Sequence, residues 1–375
     1  MSGIYIHIPF CKQACYYCDF HFSVSLKRKD EIINAIGLEI QLRKNELQNN
    51  IETIYFGGGT PSLLSINEIR SLIDLIYQNY NVIENPEITL EANPDDLTKQ
   101  KIKELAATRI NRLSVGVQSF FDDDLHFMNR AHNANEAKES LLNAIHHFEN
   151  ITIDLIYGVP NMTNEKWREN LNIAFEMNIP HISSYALTVE KRTALANFIK
   201  KGKYPALDEN LAQQHFQILV EETKKHHLIQ YEISNFGKLD YFSKHNMSYW
   251  QGKHYLGIGP SAHSFDGRSR SWNVSNNAKY IKSIQQKILP QEIENLTIND
   301  KFNEIIMTGL RTIWGVSLQQ VERNFGLDIK NELIFTAQRF LKNNTLKIEN
   351  DKLLITEKGK FLADGIAAEL FIVNK

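Results

Sequence analysis

The feature that most constrains the fold is an alternation of short apolar runs with longer segments of helical periodicity between residues 3 and 190. Six runs have the length and composition of β-strands: IYIHIP (4–9), TIYF (53–56), EITLEA (87–92), RLSVGV (112–117), ITIDLIYG (151–158) and HISSYALTV (181–189). The segments between them, such as 28–47 and 66–79, predict crossover helices and therefore parallel strands. Because a closed TIM barrel needs eight such units, we predict an α/β fold with a partial, TIM-like (β/α)6 barrel and a site at its C-terminal strand ends.

The rest of the chain predicts an elaboration on the barrel and a second domain. The elaboration has a helical stretch near 209–226, a strand near 231–236 and glycine-rich loops. The last part has an order similar to a winged helix, with helices at 300–313, 317–324 and 328–343 before short strands at 346–348 and 353–356. We therefore divide the chain into a barrel at 1–205, an elaboration at 206–297 and a mainly helical, winged-helix-like domain at 298–375.

Charge and hydropathy exclude several classes of function. The chain has 42 Lys and Arg against 44 Asp and Glu, and the charges of its last domain are mixed in sign. This balance argues against a nucleic-acid partner and favours a packing or docking role for that domain. We find no apolar leader and no apolar run near the ~18 residues of a membrane span. We expect a soluble, cytoplasmic protein without a transmembrane segment.

The chain has only three cysteines, Cys11, Cys15 and Cys18, directly after the first predicted strand. An odd, tightly spaced set is a poor disulfide framework and indicates a metal site in a reducing compartment. Thiolates are the usual ligands of iron–sulfur clusters, and a four-iron cluster with three protein ligands leaves one iron open to a small molecule. A zinc site is the alternative, because His21 could complete a Cys3His set.

The spacing CxxxCxxC, with Tyr17 before the last cysteine, resembles the cluster loop of the radical S-adenosylmethionine (SAM) superfamily. The resemblance implies a [4Fe–4S] cluster on the three cysteines, with SAM bound to the open iron. The second strand ends in GGGTP (57–61), where glycines let the backbone approach a ligand. This segment resembles the superfamily's glycine motif and implies SAM contacts from Gly58, Gly59 and Thr60.

Further motifs resemble the oxygen-independent coproporphyrinogen III oxidase family over nearly the whole chain. They are YIHIPFC (5–11), LEANP (90–94), RLSVGVQS (112–119), DLIYGVP (154–160) and GIGPSAHSF (257–265). Position by position, the resemblance implies further SAM contacts from Tyr5, Tyr17, Glu91, Gln118, Arg130, Asp154, Ala186 and His263.

Two departures from the oxidases resemble the HemW heme chaperone branch of that family instead. Phe20 stands where the oxidases have a further cysteine, and the cluster loop begins at residue 11 without their long N-terminal extension. The segment HNMSYW (245–250) also resembles the HNxxYW motif of that branch, which implies heme contacts from His245, Asn246, Tyr249 and Trp250. Imidazole is a good axial ligand of heme iron, aromatic faces pack on porphyrins, and Met247 is a second conceivable ligand.

Three functions follow, in order of preference. The first is a heme chaperone that uses the cluster and SAM in a supporting role and delivers heme to recipient hemoproteins. For it we expect recipients among respiratory membrane proteins and a peripheral position at the membrane. The second is oxidative decarboxylation of coproporphyrinogen III, started by a radical formed from SAM. The third is a zinc-stabilised module whose last domain engages nucleic acid, which the charge balance disfavours.

Overall fold

The computed structural model of the protein describes residues 2–373. Its first six strands are β1 (Ser2–Ile8), β2 (Ile51–Gly58), β3 (Val82–Ala92), β4 (Arg112–Gln118), β5 (Asn150–Tyr157) and β6 (His181–Ala186). Neighbours in this series pair in parallel from β1 to β6. The predicted α/β fold with a partial parallel barrel is therefore confirmed, although β3 begins earlier and β6 ends earlier than the sequence pattern indicated.

Helices on the outside of the sheet connect these strands. They are α1 (Lys29–Leu42), α2 (Ile66–Asn79), α3 (Lys99–Ala106), α4 (Asp122–Phe127), α5 (Ala134–Ala144) and α6 (Asn164–Glu176). The sequence fixes where helices begin: Ser65 and Glu68 form a reciprocal capping box at the start of α2. Helix α2 then buries Ile69, Leu72 and Ile76, a stripe with helical spacing, against the sheet.

The elaboration extends the same sheet on both sides. Its elements are α7 (Ala194–Lys200), α8 (Glu209–Lys225), β7 (Ile229–Glu232), β8 (Asn235–Gly237), α9 (Lys244–Trp250), β9 (His254–Ile258), β10 (His263–Phe265), β11 (Ser269–Asn273), α10 (Asn277–Gln285) and β12 (Gln291–Asn295). The main sheet within residues 2–373 has the order β12-β11-β10-β9-β1-β2-β3-β4-β5-β6-β8-β7 and stays open. It differs from the prediction in two places.

Strand β9 pairs in parallel with β1, so that Gly257 lies beside Tyr5 and the described part of the chain has a seventh parallel strand. The single strand predicted at 231–236 is a hairpin of β7 and β8. The chain turns there because the backbone N–H of Ser234 donates to both carboxylate oxygens of Glu232, each at 2.9 Å.

The C-terminal elements form a mainly helical domain with a small sheet. They are α11 (Ile298–Leu310), β13 (Val316–Ser317), α12 (Leu318–Phe325), α13 (Leu327–Lys342), β14 (Leu346–Glu349), β15 (Lys352–Ile355) and α14 (Ala363–Glu369). The small sheet has the order β13-β15-β14, and the helices pack on it around a separate apolar core. Backbone bonds join this domain to the β7 hairpin, for example from Ile313 N–H to the Tyr231 carbonyl. None of the helices within residues 2–373 is both long and apolar enough to cross a membrane.

Candidate functional site

The three cysteines lie at the C-terminal ends of the parallel strands and line a cavity of about 600 Å3. We call it the cysteine cavity. Nine of the residues predicted to contact SAM line the same space: Tyr17, Gly58, Gly59, Thr60, Glu91, Gln118, Arg130, Asp154 and Ala186. Residues from five different strand ends and the loop after β1 thus meet at one place, as the barrel topology requires.

Each thiol in this cavity has a hydrogen-bond donor of its own. Arg130 donates from Nη1 to the Cys15 Sγ at 3.2 Å. The Thr60 hydroxyl donates to Cys11, and the backbone N–H of Phe20 donates to Cys18. Burial still raises the pKa of the Cys18 thiol to about 12, because it disfavours the charged form. These donors are the kind that stabilise thiolate sulfurs in a cluster.

His21 is not brought to the three thiols. Its Nε2 lies 2.8 Å from the Oδ1 of Asn277, and its backbone carbonyl lies 2.9 Å from the Nε2 of His7. Its side chain faces a different cavity from the cysteines. Within residues 2–373, no three His, Cys, Asp or Glu side chains are arranged to hold a single metal ion.

Glu91, at the end of β3, is the main acid of the cysteine cavity. Its carboxylate accepts hydrogen bonds from the Tyr55 hydroxyl at 2.8 Å and from the Gly58 N–H at 3.2 Å. Burial raises the pKa of Glu91 to about 7, against the opposing effect of the Tyr55 bond. Asp154 on β5 behaves in the same way, since burial raises its pKa to about 6 and Arg112 opposes the rise. Two carboxylates with raised pKa values in one cavity are typical of a functional site.

The glycines at the end of β2, Gly58 and Gly59, are required by their neighbours. Gly58 has φ +107, and a Cβ there would lie 2.7 Å from the His7 ring. A Cβ on Gly59 would lie 2.5 Å from the carbonyl oxygen of Phe10. The sequence suggested glycine for ligand approach, and the structure adds that β1 and the loop after it leave no room for a side chain.

Arg130 crosses the cysteine cavity between the cluster loop and the strand ends. Its Nη2 donates to the Asn93 Oδ1 at 2.7 Å and to the Gly116 carbonyl at 2.8 Å, while its Nε is buried without a partner. Gln118 ends β4 with φ +66, after an irregularity in the pairing with β5. Its amide nitrogen would lie 3.0 Å from a Cβ on Gly116, which brings it close to Arg130.

A larger cavity of about 1360 Å3 lies between the barrel mouth, the segment from α9 to β10, and helices α11 and α12. We call it the interdomain cavity. Tyr5 and His263, which the family resemblance assigned to SAM, line this cavity and not the cysteine cavity. The two cavities share four lining residues: Asp19, Phe20, Gly58 and Glu91.

The HNMSYW segment forms α9 and contributes Tyr249 and Trp250 to the wall of the interdomain cavity. His245 lies behind that wall with only 1% of its surface exposed. Its Nδ1 is 2.7 Å from the Thr53 hydroxyl and its Nε2 is 2.7 Å from the Tyr249 hydroxyl. Burial lowers the pKa of His245 to about 3. Both ring nitrogens are therefore engaged, and the structure presents His245 to neither cavity.

Asn246 is the other predicted heme contact that lines neither cavity. Its backbone N–H donates to the hydroxyl of Ser243, the N-cap residue of α9. Trp250 has a buried indole N–H without a partner, and the guanidinium of Arg311 lies 5.2 Å from its ring centroid. Only the last turn of α9 therefore lines the interdomain cavity.

Several residues at these sites were not predicted. Asn93, Ser114, Gly116 and Tyr185 also line the cysteine cavity. The alternation along β4 could have indicated Ser114 and Gly116, because every second strand residue faces the barrel interior. Arg112 on the same strand is 1% exposed, and no ion pair of the described residues includes it. A buried cation of that kind has no signature in the sequence.

Comparison with known proteins agrees with this architecture. The model of the Radical SAM superfamily matches residues 5–174, and that of the HemN C-terminal domain matches residues 296–362. A curated protein described as heme chaperone HemW, from Bacillus subtilis, is 33% identical over 375 residues that cover 98% of both chains. The HemW of Haemophilus influenzae is 33% identical over 100% of this chain and 98% of its own. The solved structure of coproporphyrinogen III oxidase (HemN) from Escherichia coli has the same fold, with a TM-score of 0.86 at 23% identity over 99% of this chain and 90% of that one.

Proposed function

The chain belongs to the HemW family of heme chaperones, and on that premise we propose that it binds heme in the interdomain cavity and transfers it to recipient hemoproteins. One observation carries the proposal. A cavity lined by three thiols meets a larger, aromatic-lined cavity across Asp19, Phe20, Gly58 and Glu91. A cluster and a large planar ligand held in these two spaces would lie side by side.

The cysteine cavity fits a [4Fe–4S] cluster with SAM beside it. Cys11, Cys15 and Cys18 would hold the cluster, because each thiol already has a donor suited to a charged sulfur. When bound, such a cluster supplies one-electron reduction and an open iron for a small chelating ligand. The Glu91 carboxylate would accept from the SAM ammonium group, and the unpartnered Arg130 Nε would donate to the SAM carboxylate. Gly59, Thr60, Gln118, Asp154, Tyr17 and Ala186 would complete the binding surface.

The interdomain cavity fits a heme in size and chemistry. Its volume of about 1360 Å3 exceeds the ~300–1,000 Å3 of sites for drug-sized ligands. Tyr249, Trp250 and Trp314 offer aromatic surface for the porphyrin faces. Arg270 and Lys301 are lining cations able to pair with the two propionates of heme.

The proposal also covers the release of heme and the protein that receives it. The domain at 298–375 forms one wall of the interdomain cavity, so its docking to a recipient hemoprotein would be coupled to heme release. Recipients among respiratory membrane proteins, and a peripheral position at the membrane, follow from the family resemblance. SAM and the cluster would take a supporting role next to the heme.

The experiment is a titration of the anaerobically reconstituted protein with ferric heme, beside a coproporphyrinogen III conversion assay on the same preparation. We expect saturable heme binding with a shifted Soret band and no porphyrinogen conversion. The absence of heme binding would refute the proposal. Conversion of coproporphyrinogen would favour the oxidase function, against which stands Phe20 at the position of the oxidases' additional cysteine.

A further inference from the structure

The histidines around the interdomain cavity differ in whether their ring nitrogens are free. His7 uses both, since Nδ1 is 3.3 Å from the Tyr5 hydroxyl and Nε2 is 2.9 Å from the His21 carbonyl. His21 uses Nε2 towards Asn277 at 2.8 Å. His245, behind the wall, uses both towards Thr53 and Tyr249.

His263 is the one of these four in which neither ring nitrogen is engaged, whereas His21 has only Nδ1 free. It is the first residue of β10, its side chain is exposed, and it lines the interdomain cavity. Among the hydrogen bonds and ion pairs of residues 2–373, none involves its imidazole ring. Its ring stacks against that of Trp272 on the paired strand β11, with 5.9 Å between centroids and 29° between planes. A free imidazole is thus presented to the cavity on a packed support.

From this contrast we infer that His263, and not His245, supplies the axial imidazole to the iron of heme bound in the interdomain cavity. The inference rests on the proposed heme-binding function and adds which residue ligates the heme iron. Ligation needs only the lone pair of a neutral ring nitrogen, which replaces a water on the iron, so that no proton or electron has to leave the protein.

The backbone that carries His263 is fixed by a buried network. Glu39 is fully buried and accepts from the Gly259 N–H at 2.8 Å and from the Tyr280 hydroxyl at 2.5 Å. Asn273 donates to the other Glu39 oxygen at 2.7 Å and to the Gly259 carbonyl at 2.8 Å. This network ties the turn before β10 to helices α1 and α10, which is the rigid support that a ligand residue needs.

The surroundings of His263 suit a neutral metal-binding imidazole. Partial desolvation of the ring on its packed side, and then the charge of Arg270, lower the pKa of His263, so the ring is neutral at physiological pH. Phe265, two residues later on the same strand, lines the same cavity. Arg270, with its guanidinium 5.6 Å from the Phe265 ring centroid, lies on the same side. Its Nε donates to Glu304 at 2.7 Å, which leaves its two Nη groups for a propionate. Iron ligand, aromatic surface and anion partner therefore come from one hairpin.

His245 has a different role in this arrangement. To reach an iron atom it would have to leave two hydrogen bonds of 2.7 Å and a buried position. In its buried position, His245 is hydrogen-bonded to the hydroxyl of Tyr249, and the ring of Tyr249 forms part of the cavity wall. We therefore treat His245 as a positioning residue for the aromatic wall.

The test uses the full-length, anaerobically reconstituted protein titrated with ferric heme, followed by absorption and electron paramagnetic resonance spectra. In His263→Ala we expect loss of the imidazole-ligated ferric spectrum and at least about tenfold weaker binding, with unchanged cluster absorption. Free imidazole added to this variant should restore the spectrum. The matched control is His254→Ala, because His254 is the first residue of neighbouring β9 and does not line the cavity.

The outcomes are separable. Failure of the wild type to bind heme overturns the proposed function itself, and the ligand assignment with it. Heme binding with unchanged spectrum and affinity in His263→Ala overturns the assignment alone, as does loss of the signature in a folded His245→Ala protein whose His263→Ala counterpart keeps it. Should His263→Ala lose its cluster absorption, His263→Met decides, because a thioether ligand must change the spectrum if residue 263 binds iron.

Discussion

The Nε2 of His245 lies 2.7 Å from the hydroxyl oxygen of Tyr249, one helical turn later on α9. The other ring nitrogen of His245 reaches Thr53 on β2, and Glu87 on β3 accepts the backbone N–H of His245 at 3.0 Å. The first turn of α9 is therefore anchored inside the barrel, while its last turn faces the interdomain cavity. This division explains how one short segment can shape a ligand cavity with a histidine that does not touch it.

We predict that His245→Ala lowers the free energy of unfolding by ~2–4 kcal/mol, because it leaves a cavity and two hydroxyls without partners. Urea denaturation measures this. The control is Asn246→Ala. The Asn246 side chain lines neither cavity and makes no hydrogen bond within residues 2–373, so its removal should change stability by less than ~0.5 kcal/mol. Full stability in His245→Ala together with a lost heme spectrum would contradict the positioning role and restore iron ligation by His245.

Each of the three single replacements of Cys11, Cys15 and Cys18 by serine should abolish the four-iron cluster, because a site with three protein ligands has none to spare. The barrel should stay folded, since none of the three side chains belongs to the buried apolar core. Iron and sulfide counting after anaerobic reconstitution measures the loss, with circular dichroism as the folding control. A full iron complement in any of the three variants would rule out this ligand set.

SAM binding should depend on Glu91 and on the space around Gly58. Glu91→Gln keeps the shape but removes the charge, and we expect about tenfold weaker binding, in the range of a lost charge-assisted hydrogen bond. Gly58→Val should be more severe, because it meets the His7 ring and a left-handed backbone. The electron paramagnetic resonance spectrum of the reduced cluster should change on adding SAM in the wild type. The same change at the same SAM concentration in Glu91→Gln would exclude this carboxylate from the site.

The raised pKa of Glu91 predicts a pH dependence of stability in the protein without SAM. Its folded pKa of about 7 lies above the ordinary 4.5, so the folded state binds more protons between these values and stability falls as pH rises through this window. The side chain in Glu91→Gln does not titrate, so the variant lacks this contribution to the pH dependence. The free energy of unfolding of the variant relative to the wild type should therefore increase from pH 4.5 to pH 7. Parallel curves for the two proteins would show that the pKa of Glu91 is the same in the folded and unfolded states, and so is not raised by burial.

Local pattern was enough to predict the six barrel strands, which follow from periodicity. The nine predicted residues that line the cysteine cavity came from the family resemblance, and the rule that parallel strands place their ends on one edge explains why they meet there. Strand β9 was missed because its partner β1 lies some 250 residues away along the chain, and five residues carry little signal by themselves.

The resemblance to known motifs indicated which residues matter, but not which cavity each one faces. Tyr5 and His263 belong to motifs that imply SAM contacts, yet both line the interdomain cavity and not the cysteine cavity. The burial of His245 depends on how α9 packs against β1 and β2, and helix packing of that kind is set by tertiary contacts rather than by local sequence. The position of a motif therefore predicts its neighbourhood more reliably than the role of each side chain.

Arg112 provides the last prediction, because its charge acts on both acids of the cysteine cavity. The side chain is 1% exposed, and its Nε and Nη2 are buried without partners. Burial raises the pKa values of Glu91 and Asp154, and the positive charge of Arg112 opposes both rises. Without that charge, fewer of these carboxyls are ionised at pH 7.

We therefore expect Arg112→Met to weaken SAM binding at pH 7, by about tenfold for each unit of further rise in the pKa of Glu91. Binding should recover as the pH is raised towards 9, where the carboxyls ionise again. Arg112→Lys keeps the charge and serves as the matched variant, with wild-type pH dependence expected even if packing lowers its stability. The measurement is SAM affinity against pH for the reconstituted proteins. A loss in Arg112→Met that is equal at every pH would assign Arg112 to packing alone, since an electrostatic effect on the carboxylates must fade once both are ionised.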